Sequence, residues 1–289
     1  MQTTLQSDIK KKLQSINSLH TQPAVIAKIT QMLQNPTTNA DELGQAISTD
    51  QVLASTVLKL VNSAFYGFPG KIGSINHAVV LLGFSTVKNI VLTASVLEIF
   101  KMDTGGRKFT SLEFRKHSLG CAIVAQCLAQ ATGYDNKDEC FVAGLLHDIG
   151  KIIIFQLAPD DFMRVIDCAD KTKTLYHDSE SKLLGIKHQE VGGMLIEQWR
   201  LPPNILHAVS NHHTPPADSE FTLTAIVHCA DIFARAMDYG SGGDNKVPMI
   251  SEKAWNILKL DNIDLVRLFD NIDKEWQKAN AYFQLTDHK

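Results

Sequence analysis

Apolar residues along this chain recur with helical rather than strand spacing. From 7 to 98 nearly every segment carries a three-to-four-residue apolar period and a helical start signal. Pro23 suits a first helical position, Asn39 with Glu42 forms a capping box, and Asp50, Ser74 and Ser85 can each cap the apolar stretch behind them. The region should therefore hold about five helices. No run alternates cleanly between apolar and polar residues. Val79-Val80-Leu81-Leu82 and Ile152-Ile153-Ile154 have the composition of short buried strands, but their helical surroundings favour helix. Two short helices meeting near Thr49-Asp50 have the outline of a helix-turn-helix. The second offers Lys59 as its sole charge, which is poor equipment for reading base edges, so two packed helices of a bundle explain the same letters.

Glycine punctuates this pattern twice. The stretch 101–108, with Gly105-Gly106, reads as a linker, and 240–245 marks a second break. Beyond it, 251–285 reads as two more helices with an apolar face including Trp255, Leu258, Leu265, Leu268 and Trp276. The expected organisation is all-α, a helical bundle of two packed lobes: an N-terminal helical lobe over 1–100, a second lobe over 109–239, and covering helices over 251–289.

Composition narrows the possibilities. With 289 residues, 44% of them hydrophobic, the chain can build a substantial core. A formal charge of −3 leaves no basic footprint, which argues against nucleic acid or an anionic membrane as a main partner. The five cysteines are odd in number, scattered and without a Cys-x-x-Cys pair, as expected of reduced core thiols in a cytoplasmic protein. The N-terminal residues are polar, and no apolar run reaches the roughly 18 to 20 residues that a membrane span requires.

The chemistry concentrates in Phe141-Val142-Ala143-Gly144-Leu145-Leu146-His147-Asp148-Ile149-Gly150-Lys151. Asn136 with Glu139 reads as a capping box and Gly150 as a left-handed terminator, predicting one helix over 137–149 that ends on His147 and Asp148. Adjacent helical residues diverge by about 100°, so both can serve one site only if it lies beyond the helix end. Further metal-ligating side chains sit on inward helical faces. His117 shares a face with Gly120, Cys121, Val124 and Leu128; His188 with Val191, Gly192, Leu195 and Trp199. His212 follows Ile205 and Val209, and Asp231 follows Leu223 and Val227. A carboxylate on such a face is expensive to bury unless it is paired or metal-bound. His20, His77, His177, His207, His228 and His288 fit no constellation and read as surface or satisfied core residues.

The order His117, His147-Asp148, His188, His212, Asp231 resembles the HD superfamily of metal-dependent phosphohydrolases. The context narrows the likeness: His147-Asp148-Ile149-Gly150-Lys151, His188-Gln189-Glu190-Val191-Gly192, and Trp199-Arg200-Leu201-Pro202-Pro203 leading to His212-His213 are similar to an HDOD domain, an HD-related output domain of bacterial signalling proteins. Asn62-Ser63-Ala64-Phe65-Tyr66-Gly67, followed by the stretch 72–83, carries the same likeness, which spans roughly 15–235.

The resemblance implies an HD-type C-terminal lobe with two divalent transition-metal ions (Fe, Mn, Zn, Co or Ni). Asp148 would bridge one ion held with His117, His147 and Asp231 and another held with His188 and His212. It further implies binding, and hydrolysis in catalytic members, of a phosphorylated nucleotide or other phosphoester, with Asp148 and Lys151 as catalytic residues and Lys151 neutralising phosphate charge. His213 is an alternative or additional ligand, as in the related HD-GYP phosphodiesterases. Glu113, one turn before His117, is another candidate, although Thr110 and Glu113 also make a capping box. None of the ligands in this set is a cysteine, which argues against a structural zinc knuckle. After His213 the chain runs Thr214-Pro215-Pro216, without the Gly-Tyr-Pro loop that accompanies cyclic di-GMP cleavage. Two other functional classes are compatible with these residues: a non-catalytic signalling module that engages a protein partner, and a di-iron oxygenase.

Overall fold

Caps and breaks in the sequence set the helix boundaries. The computed structural model describes residues 37–63, 71–100 and 108–286, together with Met32, Asn35 and Thr104; the expected helix start at Pro23 and most of the expected linker lie outside them. All regular structure among the described residues is helical, including both Val79-Leu82 and Ile152-Ile154. The chain divides into two compact units, one containing 100–265 and the other 20–99 with 266–289.

In the second of these units, α1 (Ala40–Ser48) and α2 (Gln51–Val61) pack on α3 (Ile75–Ile99). Asn39 and Glu42 close the capping box on α1, and the Asp50 carboxylate accepts from the Val52 and Leu53 amides to start α2. Gly83, at φ 79°, breaks α3 in two. Asn62 fixes the chain returning to α3, donating to Ile72 O and accepting from Ile72 N. The C-terminal helix, α13 (Leu265–Thr286), buries Leu268, Ile272, Trp276 and Ala279 along one stripe.

The larger unit is built on α4 (Ser111–Thr132), α5 (Lys137–Leu146) and α11 (Thr222–Ala236), which pack on one another. Thr110 and Asn136 cap α4 and α5, each accepting from the amide of a glutamate three residues on. Around them follow α6 (Ile149–Leu157), α7 (Pro159–Thr172), α8 (Tyr176–Leu184), α9 (His188–Gln198) and α10 (Pro203–Asn211), while α12 (Glu252–Leu258) covers α11. The stretch Lys137–Leu157 is long and apolar enough to cross a membrane by composition, contrary to the count made from sequence. Its most apolar window is 89% buried in the protein's own core, which accounts for its hydropathy.

The predicted single helix over 137–149 is also corrected. It stops at Leu146; His147 and Asp148 form a corner, and α6 sets off at Ile149. Gly150 does not terminate a helix. It lies inside α6 where the first turn of α9 crosses, and a Cβ there would stand 1.9 Å from His188 O and 2.7 Å from Gly192 N. The missing side chain is what lets the two backbones touch. Gly144 does the same for α5 against α4, where a Cβ would meet Cys121 O at 2.7 Å.

Such crowding has a measurable cost. Gly150→Ala should lower unfolding free energy by about 1–3 kcal/mol or more, because the clash is with backbone that cannot swing aside. Gly73→Ala, whose Cβ would meet nothing within 4 Å, should stay within about 0.5 kcal/mol of wild type in the same urea titration. Equal stabilities for the two variants would rule out the backbone contact.

Candidate metal centre

The corner between α5 and α6 turns His147 and Asp148 inward together, which adjacent residues of a continuous helix could not do. Around them stand His117 from the middle of α4, His188 at the start of α9, His212 at the end of α10, and Asp231 in α11. His117, His147, Asp148, His188 and His212 are 0% exposed and Asp231 is 2% exposed, so four helices and one corner enclose a chamber of ionisable groups.

Asp148 lies between two ligand groups. Its Oδ2 is 3.6 Å from His117 Nε2 and 3.3 Å from His147 Nε2, and these nitrogens lie 3.2 and 3.7 Å from Asp231 Oδ1. Its Oδ1 is 3.0 Å from His188 Nε2 and 3.8 Å from His212 Nε2. All six residues predicted from sequence are brought together, with His117, His147 and Asp231 on the Oδ2 side of Asp148 and His188 and His212 on its Oδ1 side. His213 joins the second group, with Nε2 3.1 Å from His188 Nε2, and its half-buried ring stacks on His177 at 4.2 Å. Glu113 does not join either group; its amide donates to Thr110 and its carboxylate pairs with Lys116 at the surface.

The rings are oriented from outside the chamber. His147 Nδ1 faces Gly144 O at 2.7 Å, and His212 Nδ1 faces Val209 O at 2.9 Å. A carbonyl cannot donate, so both Nδ1 atoms carry the proton and both Nε2 atoms point lone pairs inward when the ring is neutral. Glu180 fixes His188 likewise, accepting from Nδ1 at 2.7 Å and from the backbone amide at 3.0 Å. His188 Nε2 and His212 Nε2 then face each other at 3.4 Å, an arrangement that needs a proton or a cation between the lone pairs. Asp148 Oδ1, fully buried, accepts no hydrogen bond. Inward imidazole nitrogens, outward Nδ1–H anchors and a buried carboxylate oxygen among them fit divalent transition-metal ions.

Fixed cations offset part of the acidic charge. Lys151, 1% exposed, donates to Asp148 Oδ2 at 2.7 Å and to Gly242 O at 2.9 Å. Arg235, one turn after Asp231, donates to Asp231 Oδ1 at 2.7 Å and to Asp244 at 3.0 Å. Burial pushes the Asp148 carboxyl up, but Lys151 and His147 outweigh it and hold the group well below the carboxylate range; Arg235 does the same for Asp231. Burial likewise works against charge on His117, yet Cys121 and the two aspartates push it up to about 10, and His147 is raised in the same way. His212, desolvated and facing His147 and His188, is pushed well below its usual value.

The stretch 240–245 is corrected from a boundary to a cover. Ser241 N donates to Glu113 O, and a Cβ on Gly242 would stand 2.9 Å from Asp148 Oδ2 and 3.1 Å from His117 Nε2. Asp244 anchors the loop, accepting from Arg235 and from the Tyr176 and Lys246 amides. The sequence had also set Cys121 aside as a core thiol, although it lies one turn past His117 on the same face. Its Sγ is 3.7 Å from His117 Nε2 and 3.9 Å from His147 Nε2. His228, read as a satisfied core residue, is one: it bonds His212 O at 2.7 Å and accepts from Ser251 N at 2.9 Å.

A model of the HDOD domain matches residues 19–215, about two thirds of the chain. The chain belongs to the HDOD family. The match ends before Asp231 and Arg235, so one ligand of the first group lies beyond it. A crystal structure of an HDOD domain protein of unknown function from Geobacter sulfurreducens superposes with a TM-score of 0.78 at 26% identity, over 97% of this chain and 98% of that one. A Shewanella amazonensis protein carrying the provisional name of phosphohydrolase shares the fold at TM-score 0.73 and 24% identity, over 95% and 97% of the two chains. An uncharacterised Treponema pallidum protein is 24% identical over 239 residues, and this HDOD chain, matched over 82% of its own length, spans 45% of that relative.

Two measurements test the anchoring of this HDOD centre. Glu180→Ala should weaken binding at the His188 group by about 10–100-fold in competition with a chromogenic chelator while the His117 group keeps its affinity; unchanged affinity at both would remove Glu180 from the site. Because the raised pKa of His117 puts a proton on the ligating ring at neutral pH, metal binding should release protons and weaken as pH falls through the neutral range. Calorimetry in buffers of different ionisation enthalpy reads that release, and none should be seen if the imidazoles are not ligands.

Proposed function

We propose that the chain is a bacterial, cytoplasmic signal-transduction module whose HD-type lobe holds two divalent transition-metal ions and uses that centre to bind a phosphorylated nucleotide. The observation that carries this reading is the placement of Asp148: one buried carboxylate offers Oδ2 to His117 and His147 and Oδ1 to His188 and His212. Two ions there would supply Lewis acidity and positive charge complementary to phosphoester oxygens. The approach route that best suits such a ligand is the edge where half-buried His213 and His177 stack.

The cover supports a signalling module over a hydrolase as the resting state. Lys151, the residue suited to neutralising a phosphate, is engaged by Asp148 and Gly242, and Gly242 lies against Asp148 and His117. Hydrolysis of a phosphoester requires this loop to lift and Lys151 to turn from Gly242 O. Metal-dependent phosphohydrolase activity is accordingly the second reading, favoured by the undivided ligand set and by Lys151 beside Asp148.

The chain purified without chelator or histidine tag should carry close to two transition-metal ions, and chelation should lower its melting temperature by mass action. Asp148→Ala removes the carboxylate common to both groups, so it should hold at most one ion weakly, keep its helical content and melt without regard to chelator. A variant that retains both ions, or a wild type indifferent to chelator, would refute the two-ion centre. Metal-loaded protein should turn over a chromogenic phosphodiester no faster than Asp148→Ala does; turnover abolished by both the substitution and chelation would make the chain a hydrolase instead.

A further inference from the structure

We propose that Cys121 is a protein ligand of the first metal position, joining His117, His147, Asp231 and the shared Asp148 and biasing that position toward thiophilic ions such as zinc or cobalt over manganese. The inference rests on the two-ion reading above and goes beyond the family's His/Asp ligand set. It follows from how α4 and α5 cross. His117 and Cys121 are four residues apart on α4 and so share one face. Gly144 presses α5 against that level of α4, where its Cβ would lie 2.7 Å from Cys121 O, and three residues later His147 reaches the same thiol.

The dimensions suit a coordination polyhedron. With metal–nitrogen bonds of about 2.0–2.1 Å and a metal–sulfur bond of about 2.3 Å, a tetrahedral ion holds its nitrogen and oxygen ligands about 3.3 Å apart and nitrogen and sulfur about 3.6 Å apart. Here Cys121 Sγ lies 3.7 and 3.9 Å from the two ring nitrogens, which are 3.2 and 3.7 Å from Asp231 Oδ1, and the four ligand atoms lie within 4.8 Å of one another. All four residues are buried. A further buried oxygen stands at the same place: Asp148 Oδ2, from a residue with no exposure, is 3.6 and 3.3 Å from the His117 and His147 ring nitrogens. A thiolate in the first group would make the two positions chemically unlike. The second, formed by Asp148, His188, His212 and His213, has nitrogen and oxygen donors alone.

The test loads the full-length chain with cobalt(II) alone and reads bound cobalt and the near-ultraviolet spectrum together. Wild type should show a sulfur-to-cobalt charge-transfer band. Cys121→Ser and Cys121→Ala should lose it, while Cys168→Ser, which alters the least buried of the five thiols, should keep it. Zinc affinity of the first position should fall about tenfold or more in Cys121→Ser, with manganese affinity changing much less. Cobalt bound by wild type without the band overturns the ligand role of Cys121 and leaves the two-ion centre standing, and this arm needs no variant to fold. A band that persists in Cys121→Ser also overturns it, since the sulfur is then another cysteine's. Failure to bind cobalt at all overturns both readings.

Discussion

A carboxylate with no exposure to water, set among imidazoles in the middle of a helical bundle, is the constraint on which the rest of the larger unit depends. Burying Asp148 costs several kcal/mol unless its charge is met at close range. The chain meets it from every side. Lys151 arrives from one turn further along α6, His117 from α4, His147 from the adjacent residue, and His188 and His212 from α9 and α10. For this to happen the helix carrying the His-Asp pair has to break there, and the next helix has to lie close enough to α9 for His188 to reach Oδ1. The corner at 147–148 and the absence of a side chain on Gly150 provide those two conditions.

Counter-ions built into the chain balance the buried carboxylates of this unit. Asp231 is matched by Arg235, Arg235 also by Asp244, and Asp148 by Lys151. Asp244 then ties the 240–245 loop to Tyr176 and Lys246, while Lys151 ties it to the centre through Gly242 O. The loop is thus held by the same cations that balance the carboxylates. Lys151 and Arg235 each contact both a buried carboxylate and this loop.

The sequence carried the helical character and the convergence of the six buried His and Asp residues, because both rest on local spacing. The apolar period, the capping box at Asn39, the N-cap at Asn136 (where Glu139 returns no bond to the Asn136 backbone amide) and the inward faces of His117, His188, His212 and Asp231 are each properties of a single helix. What it did not carry depends on approach between helices. Gly150 has the same letter whether it ends a helix or admits a neighbouring backbone, and only the crossing of α6 with α9 decides. Glu180 lies eight residues before His188 with a turn between, a separation that no periodicity marks. Arg235 and Cys121 were within reach, each one turn from a recognised ligand. Arg235 passed as an ordinary helical charge, and Cys121 was grouped with the core thiols because its neighbours on α4 are apolar.

The origin of the ligands bears on what an HDOD protein gains from keeping them. Apart from His147 and Asp148, which share a corner, each predicted ligand comes from a different helix, so metal held by His117, His147, Asp148, His188, His212 and Asp231 would clamp α4, the α5–α6 corner, α9, α10 and α11 to one another. Binding energy at such a centre is folding energy. A hydrolase could be served by a rigid pocket beside such a cluster, whereas a cluster sealed under its own loop would couple the four helices and the corner to the charge on one aspartate. Under the signalling reading proposed above, that coupling would let a chemical event at the buried site be read out through the helices that carry Asp148 and its partners, without turnover.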